Sequence, residues 1–188
     1  MALRMLDKPP YPKDLEGEEP LADGTIVSFR PIRPDDEPLL HDLAGHMTRE
    51  DLRLRFFSPV RDISHALAVR LTHLDYDREM ALVALHDGQT LGVARYSAGP
   101  DKAQAEYAIA VRSDWHGRGV GHLLMTRLID IARNRGIAAL VGVVLRENRP
   151  MIDMCRALGF ALASDPDDGA LLRVRKALVR DKSARDGG

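Results

Sequence analysis

Gln104–Arg135 reads QAEYAIAVRSDWHGRGVGHLLMTRLIDIARNR, and its three parts decide the fold. Gln104–Val111 alternates as a strand does: Ala105, Tyr107, Ile109 and Val111 share one face, and Glu106, Ala108 and Ala110 the other. The first set suits a core. The second puts one carboxylate beside two small residues, which leaves room for something to lie against the strand. Pattern alone leaves Glu106 with two readings, a solvent-facing charge on a half-exposed strand or a carboxylate that acts on a ligand.

The middle part, His116-Gly117-Arg118-Gly119-Val120-Gly121, is a glycine-rich turn. Glycine lets the backbone turn tightly and approach a ligand without a Cβ in the way. The third part is an amphipathic helix: Val120, Leu123, Leu124, Leu128, Ile131 and Ala132 recur at helical spacing, and Gly136 stops it after Arg133 and Arg135. The unpaired N–H groups and positive dipole end of such a helix suit a phosphate or pyrophosphate. A turn that merely starts a helix explains the glycines too. Two other phosphate motifs are excluded. A dinucleotide fingerprint needs a third glycine at His122 or Leu124, and a P-loop needs Gly-Lys-Ser/Thr.

The strand, the HGRGVG turn and the helix resemble the GNAT superfamily of N-acetyltransferases, whose pyrophosphate loop reads Gln/Arg-x-x-Gly-x-Gly/Ala. Gly119 and Gly121 match, and His116 stands at the Gln/Arg position. Asn148 followed by Leu158-Gly159-Phe160 resembles the family's Asn…Gly-Phe block. FRPIRPDDEPLL, TREDLRLRFFSP and LTHLDYDREMALVAL are similar to the catalytic domain of bacterial protein lysine acetyltransferases that act on acyl-CoA synthetases. Those relatives often carry a sensor or ligase-like domain, for which this length leaves no room.

The resemblance implies an α/β fold: a mixed, mostly antiparallel sheet of about seven strands with helices on both faces, and strands that splay around the pantetheine arm of acetyl-CoA. It also implies acetyl transfer to a primary amine in a ternary complex. Glu106 would be the base. Amides around Ile109, Ala110 and Val111 would face the thioester oxygen. His116, Gly117, Arg118, Gly119, Val120 and Gly121 would hold the pyrophosphate, with Asn148 near the pantetheine arm. Many relatives carry a proton-donating Tyr where this chain has Cys155. The acceptor is expected to be a protein lysine. A small amine remains an alternative, as does a non-catalytic acetyl-CoA-binding module.

The 188 residues are 45% hydrophobic and 29% charged with a net charge of −1, which fits one soluble domain and no general nucleic-acid field. The single Cys155 excludes an internal disulfide and suits a reducing cytosol. No apolar run reaches membrane-spanning length. The seven His residues show no metal-ligand spacing, so no metal is expected. The expected assembly is a monomer or homodimer.

The expected organisation is a leader over 1–22, one acetyltransferase domain over 23–180 and a flexible tail over 181–188. Prolines and glutamates make Met1–Pro20 read as extended or mobile. Thr25–Pro31 alternates as a strand, and Arg33–Asp36 opens a helix ending near Gly45. Thr48 caps Arg49–Phe57, Pro59 breaks that helix, and Ser64 caps another through Leu74. Arg53 and Arg55 read as a solvated face or an acceptor surface. His73, Asp75, Tyr76 and Asp77 are acceptor-site candidates, although caps and turns explain them as well. Glu79–His86, Asp87-Gly88 and Thr90–Ser97 form a hairpin. Ala139–Leu145 reads as a buried parallel strand, Asn148 caps Arg149–Leu158, and Phe160–Ala163 pairs with Ala170–Ala177.

Overall fold

The computed structural model describes residues 9–58 and 62–178. The strands are β1 (Gly17–Pro20), β2 (Ile26–Pro31), β3 (Glu79–His86), β4 (Gln89–Ala98), β5 (Ala105–Val111), β6 (Ala139–Leu145), β7 (Ala161–Ser164) and β8 (Leu171–Ala177). The helices are α1 (Glu37–Gly45), α2 (Arg49–Phe56), α3 (His65–Thr72), α4 (Val120–Asn134) and α5 (Arg149–Ala157). Together the strands form one sheet in the order β1-β2-β3-β4-β5-β6-β8-β7. Every pairing is antiparallel except β5–β6, whose crossover is α4.

The expected seven strands become eight because Gly17–Pro20 pairs with β2, from Gly17↔Phe29 to Pro20↔Ile26. The prolines and glutamates of Met1–Pro20 alone suggest an extended leader. A proline and two glutamates are tolerated here because β1 is an edge, where a missing N–H costs no ladder bond and charge keeps other strands away. The segment before it is also tied down: the Tyr11 hydroxyl donates to Glu16 at 2.8 Å and Arg33 pairs with Glu16 at 2.9 Å.

Helices cover both faces. A Cβ on Gly92 would stand 3.2 Å from Leu124 of α4. Arg95, three residues on and therefore on the opposite face, reaches the Leu71 carbonyl of α3. The core lies mainly under α4, where Met80–Ala84 of β3 and Leu124, Leu128 and Ala132 are fully buried.

Caps stand where local chemistry puts them. Thr48 accepts the Asp51 amide at 3.1 Å, Ser64 accepts that of Leu67 at 3.2 Å, and Asn148 that of Met151 at 3.2 Å. Helix α1 starts at Glu37, later than expected. Asp36 instead closes a turn by accepting the Arg33 amide at 2.7 Å and pairing with Arg30 at 2.6 Å. Pro59 and residues 181–188 lie outside the described residues.

Strand β6 corrects one expectation. It is parallel to β5 only at Ala105↔Leu140 and Glu106↔Val141, but antiparallel to β8 along its whole length. Past Glu106 the two strands part, so β6 is not buried throughout and Val143 is 39% exposed.

Candidate active site

The parting of β5 and β6 opens a cavity of about 570 Å³. Its wall carries Glu106, the backbone of β5, the glycine turn, Val143, Val144, Asn148 and the apolar face of α5. Met47, Leu54, Arg55 and Phe57 close it from the α2 side. Strand β5 exposes Glu106 and buries Ala105, Tyr107 and Ile109, as its alternation requires.

Backbone direction along β5 follows from one bond: the Arg112 amide donates to the Leu91 carbonyl at 2.8 Å. The register of β4 and β5 is regular, so Glu106, Ala108 and Ala110 also turn their amides toward β4. Tyr107, Ile109 and Val111 turn theirs to the β6 side, where the pairing with β6 ends after Glu106↔Val141 and leaves Ile109 and Val111 facing the gap. Ala110 is therefore corrected. Its N–H belongs to the β4 ladder, and only its methyl group faces the cavity. The amides of Ile109 and Val111 have the required direction.

Gly117 and Gly119 adopt φ values of 72° and 96°, which favour glycine, and Gly119 starts α4 with no side-chain cap. Among the described residues, the amides of Gly117 through His122 have no hydrogen-bond partner in the protein. Such orphan donors at the positive end of a helix form an anion cradle. Three other candidates divide as follows. His116 lines the cavity, but its Nε2 donates to the Val111 carbonyl at 3.0 Å, so the ring braces the strand. The Arg118 side chain leaves the cradle, and only its amide stays. Its guanidinium donates to Asp23 at 2.8 Å and lies 3.7 Å from the Trp115 ring centre. A bond to the segment before β2, ninety-five residues away, was invisible in the loop itself. Asn148 uses its carbonyl oxygen as the α5 cap while lining the cavity.

The turn after α3 does not line the cavity. Asp75 accepts the amides of Asp77, Arg78 and Glu79, each within about 3.0 Å. Tyr76 donates to the Ile32 carbonyl at 2.8 Å, His73 contacts the Val69 carbonyl at 3.0 Å, and Asp77 pairs with Lys102 at 2.6 Å. These residues are braces, as caps and turns had suggested. Arg55 does face the site. It points inward while Arg53, two residues earlier, pairs with Glu50 and Glu147 outside. Burial, together with the charge of Arg95, pushes the Arg55 guanidinium down to about 10. Arginines at i and i+2 point different ways on a helix, and that spacing was the available signal.

Cys155 is buried, with its sulfur 3.1 Å from the Tyr107 hydroxyl. Among the described residues, no group of three or more His, Cys, Asp or Glu side chains is placed to hold a metal. No helix among them is long and apolar enough to cross a membrane.

This geometry agrees with what the chain is similar to. Over 164 residues it is 36% identical to the acetyltransferase PA5475 of Pseudomonas aeruginosa, covering 85% of this chain and 88% of that protein. It is 32% identical over 139 residues to the acetyltransferase Pat of Mycolicibacterium smegmatis, covering 72% of this chain but only 41% of Pat. The GNAT domain of S. lividans PAT superposes with a TM-score of 0.83 at 28% identity, covering 89% of this chain and 99% of that one. Residues 46–160 match the acetyltransferase (GNAT) family, to which this chain belongs.

Proposed function

We propose that this acetyltransferase moves acetyl from acetyl-CoA directly to a primary amine, that of a protein lysine. The observation that carries the reading is the row of unpartnered amides at Gly117–His122, set at the mouth of a gap whose wall bears Glu106. The amides of Gly117, Arg118, Gly119, Val120 and Gly121 would hold the pyrophosphate, with Asn148 beside the pantetheine arm. Acetyl-CoA, when bound, supplies the activated thioester.

The chain's residues do the rest. A lysine amine with a pKa of about 10.4 is neutral in only about one molecule in a few thousand at pH 7. Glu106 takes its proton, directly or through water. The amides of Ile109 and Val111 face the oxygen that gains charge. Apolar Val143, Met151 and Met154 exclude water from the gap. Protein lysine is favoured because the likeness to Pat spans the upstream elements as well as the glycine turn. An acyl-CoA synthetase is the expected target on the resemblance of the segments FRPIRPDDEPLL, TREDLRLRFFSP and LTHLDYDREMALVAL. A small amine is the second reading, favoured by the 31% identity over 80 residues to an L-methionine sulfoximine/L-methionine sulfone acetyltransferase of Pseudomonas aeruginosa.

The test is incubation with acetyl-CoA and cytosolic extract, followed by mapping of new acetyl-lysines against Glu106→Gln. The variant is expected to bind acetyl-CoA normally and lose about 10²–10⁴ in transfer rate at neutral pH. Unchanged turnover removes Glu106 from its role. Activity on free amines alone moves the acceptor to the second reading.

A further inference from the structure

The face of the sheet under α2 and α3 carries two arginines that have no carboxylate. Arg95 stands on β4 directly opposite Ala108 of β5, so both side chains lie on the face that bears Glu106. Arg55 comes down from α2 onto the same strand and forms part of the cavity wall with Glu106 and Ala108. Both arginines are half-buried. Among the described residues neither makes an ion pair, and their polar contacts are sparse: Arg95 reaches the Leu71 carbonyl at 3.5 Å, and Arg55 lies against the Phe56 ring at 4.7 Å. Glu106 and Glu79 are the nearby negative charges, and neither bonds to them.

A protein rarely desolvates a guanidinium without a partner, because the charge loses hydration and gains nothing in return. Here two are desolvated on one face, and like charge adds to the effect, from Arg95 on Arg55 and from Arg70 on Arg95. Burial is the larger cause for both. Ala108 and Ala110, on the same face, are small and line the cavity beside Arg55. A planar fork of N–H donors matches a carboxylate in two-point contact.

We infer that the acceptor carries a carboxylate near its amine, and that Arg55, in the cavity wall, holds that carboxylate, with Arg95 on β4 adding positive charge behind it, while the amine lies toward Glu106. The inference rests on the transfer reading above and names the acceptor class for the same site. The carboxylate has two sources, a free amino acid or an acidic residue beside the modified lysine. The recognition chemistry is the same for both.

The experiment compares kcat/KM for matched acceptors in the intact protein. One arm uses free amino acids against their carboxamides. The other uses lysine peptides with Asp/Glu flanks against Asn/Gln flanks. Carboxylate acceptors are expected to win in one arm by about 10- to 100-fold, mainly through KM, the scale of a charged hydrogen-bond pair. That preference is expected to collapse in Arg55→Gln, to weaken in Arg95→Gln and to survive partly in Arg55→Lys. Thermal melting checks the fold. Both glutamine variants are expected to melt no lower than the parent, since an uncompensated charge has been removed. Carboxylate-blind kinetics in both arms overturns the inference and leaves the transfer reading standing, as does a preference that persists in both glutamine variants. Transfer to no amine at all overturns the transfer reading, and the inference with it.

Discussion

The hydroxyl of Tyr107 lies 3.1 Å from the sulfur of Cys155, joining β5 to α5 inside the protein. Burial pushes the Cys155 thiol above its ordinary value near 9.0, and burial with the neighbouring thiol pushes Tyr107 up as well. Both groups are therefore neutral in the folded state well beyond neutral pH. The folded pKa values exceed the unfolded ones, so above about pH 9 the unfolded chain releases protons that the folded chain retains, and stability falls as pH rises. Denaturant melts are expected to be flat through neutral pH and to weaken above about pH 9. Native Cys155 is expected to resist alkylation at pH 8 and to react once unfolded. Cys155→Ala strands the hydroxyl and is expected to cost about 1–3 kcal/mol.

Gly142 of β6 makes room for the same tyrosine. A Cβ there would stand 2.7 Å from Tyr107 Cε1. Gly142→Ala must push a packed ring in the core, and a loss of about 1–3 kcal/mol in urea unfolding is expected. A neutral result would show that Tyr107 can move aside.

Gly121 separates ligand approach from folding. A Cβ on it would meet Met154, Val111 and Ile109 at 3.5–3.7 Å, ordinary contact distances. Gly121→Ala is expected to melt no lower than the parent, since alanine is the better helix former by about 1 kcal/mol. Alanine is accepted at this position of the family's loop, so the ligand test is Gly121→Asp, expected to bind acetyl-CoA at least about tenfold more weakly by calorimetry, because a carboxylate beside the orphan amides repels the phosphates. Undiminished affinity would move the phosphate site elsewhere.

Arg118 is committed to Asp23 and Trp115, so Arg118→Ala is expected to leave the KM for acetyl-CoA within about twofold. The hydrogen bond from Thr25, followed by the Arg118 contact, holds the Asp23 carboxyl well below the usual carboxylate range. Its contribution to stability is present above the unfolded carboxylate pKa and is lost on further acidification. The acid limb of a melting curve is expected to flatten in the variant. A large rise in KM would return Arg118 to the cradle.

The chain alone determined the strand, the glycine turn and α4, because alternation, glycine placement and a regular apolar stripe are local signals with local causes. The caps at Thr48, Ser64 and Asn148 were legible for the same reason: a short polar side chain meets amides three residues away. Tertiary structure alone decided the rest. It turned Gly17–Pro20 into an edge strand, because β2 offered an unpaired side. It separated Ala110 from Ile109 and Val111, because the ladder with β4 consumes every second amide. It took Arg118 away to Asp23 and turned Arg55 inward, because a charged side chain goes to whatever the fold sets beside it. Side chains that answer to neighbours many residues away leave no trace in their own surroundings along the chain.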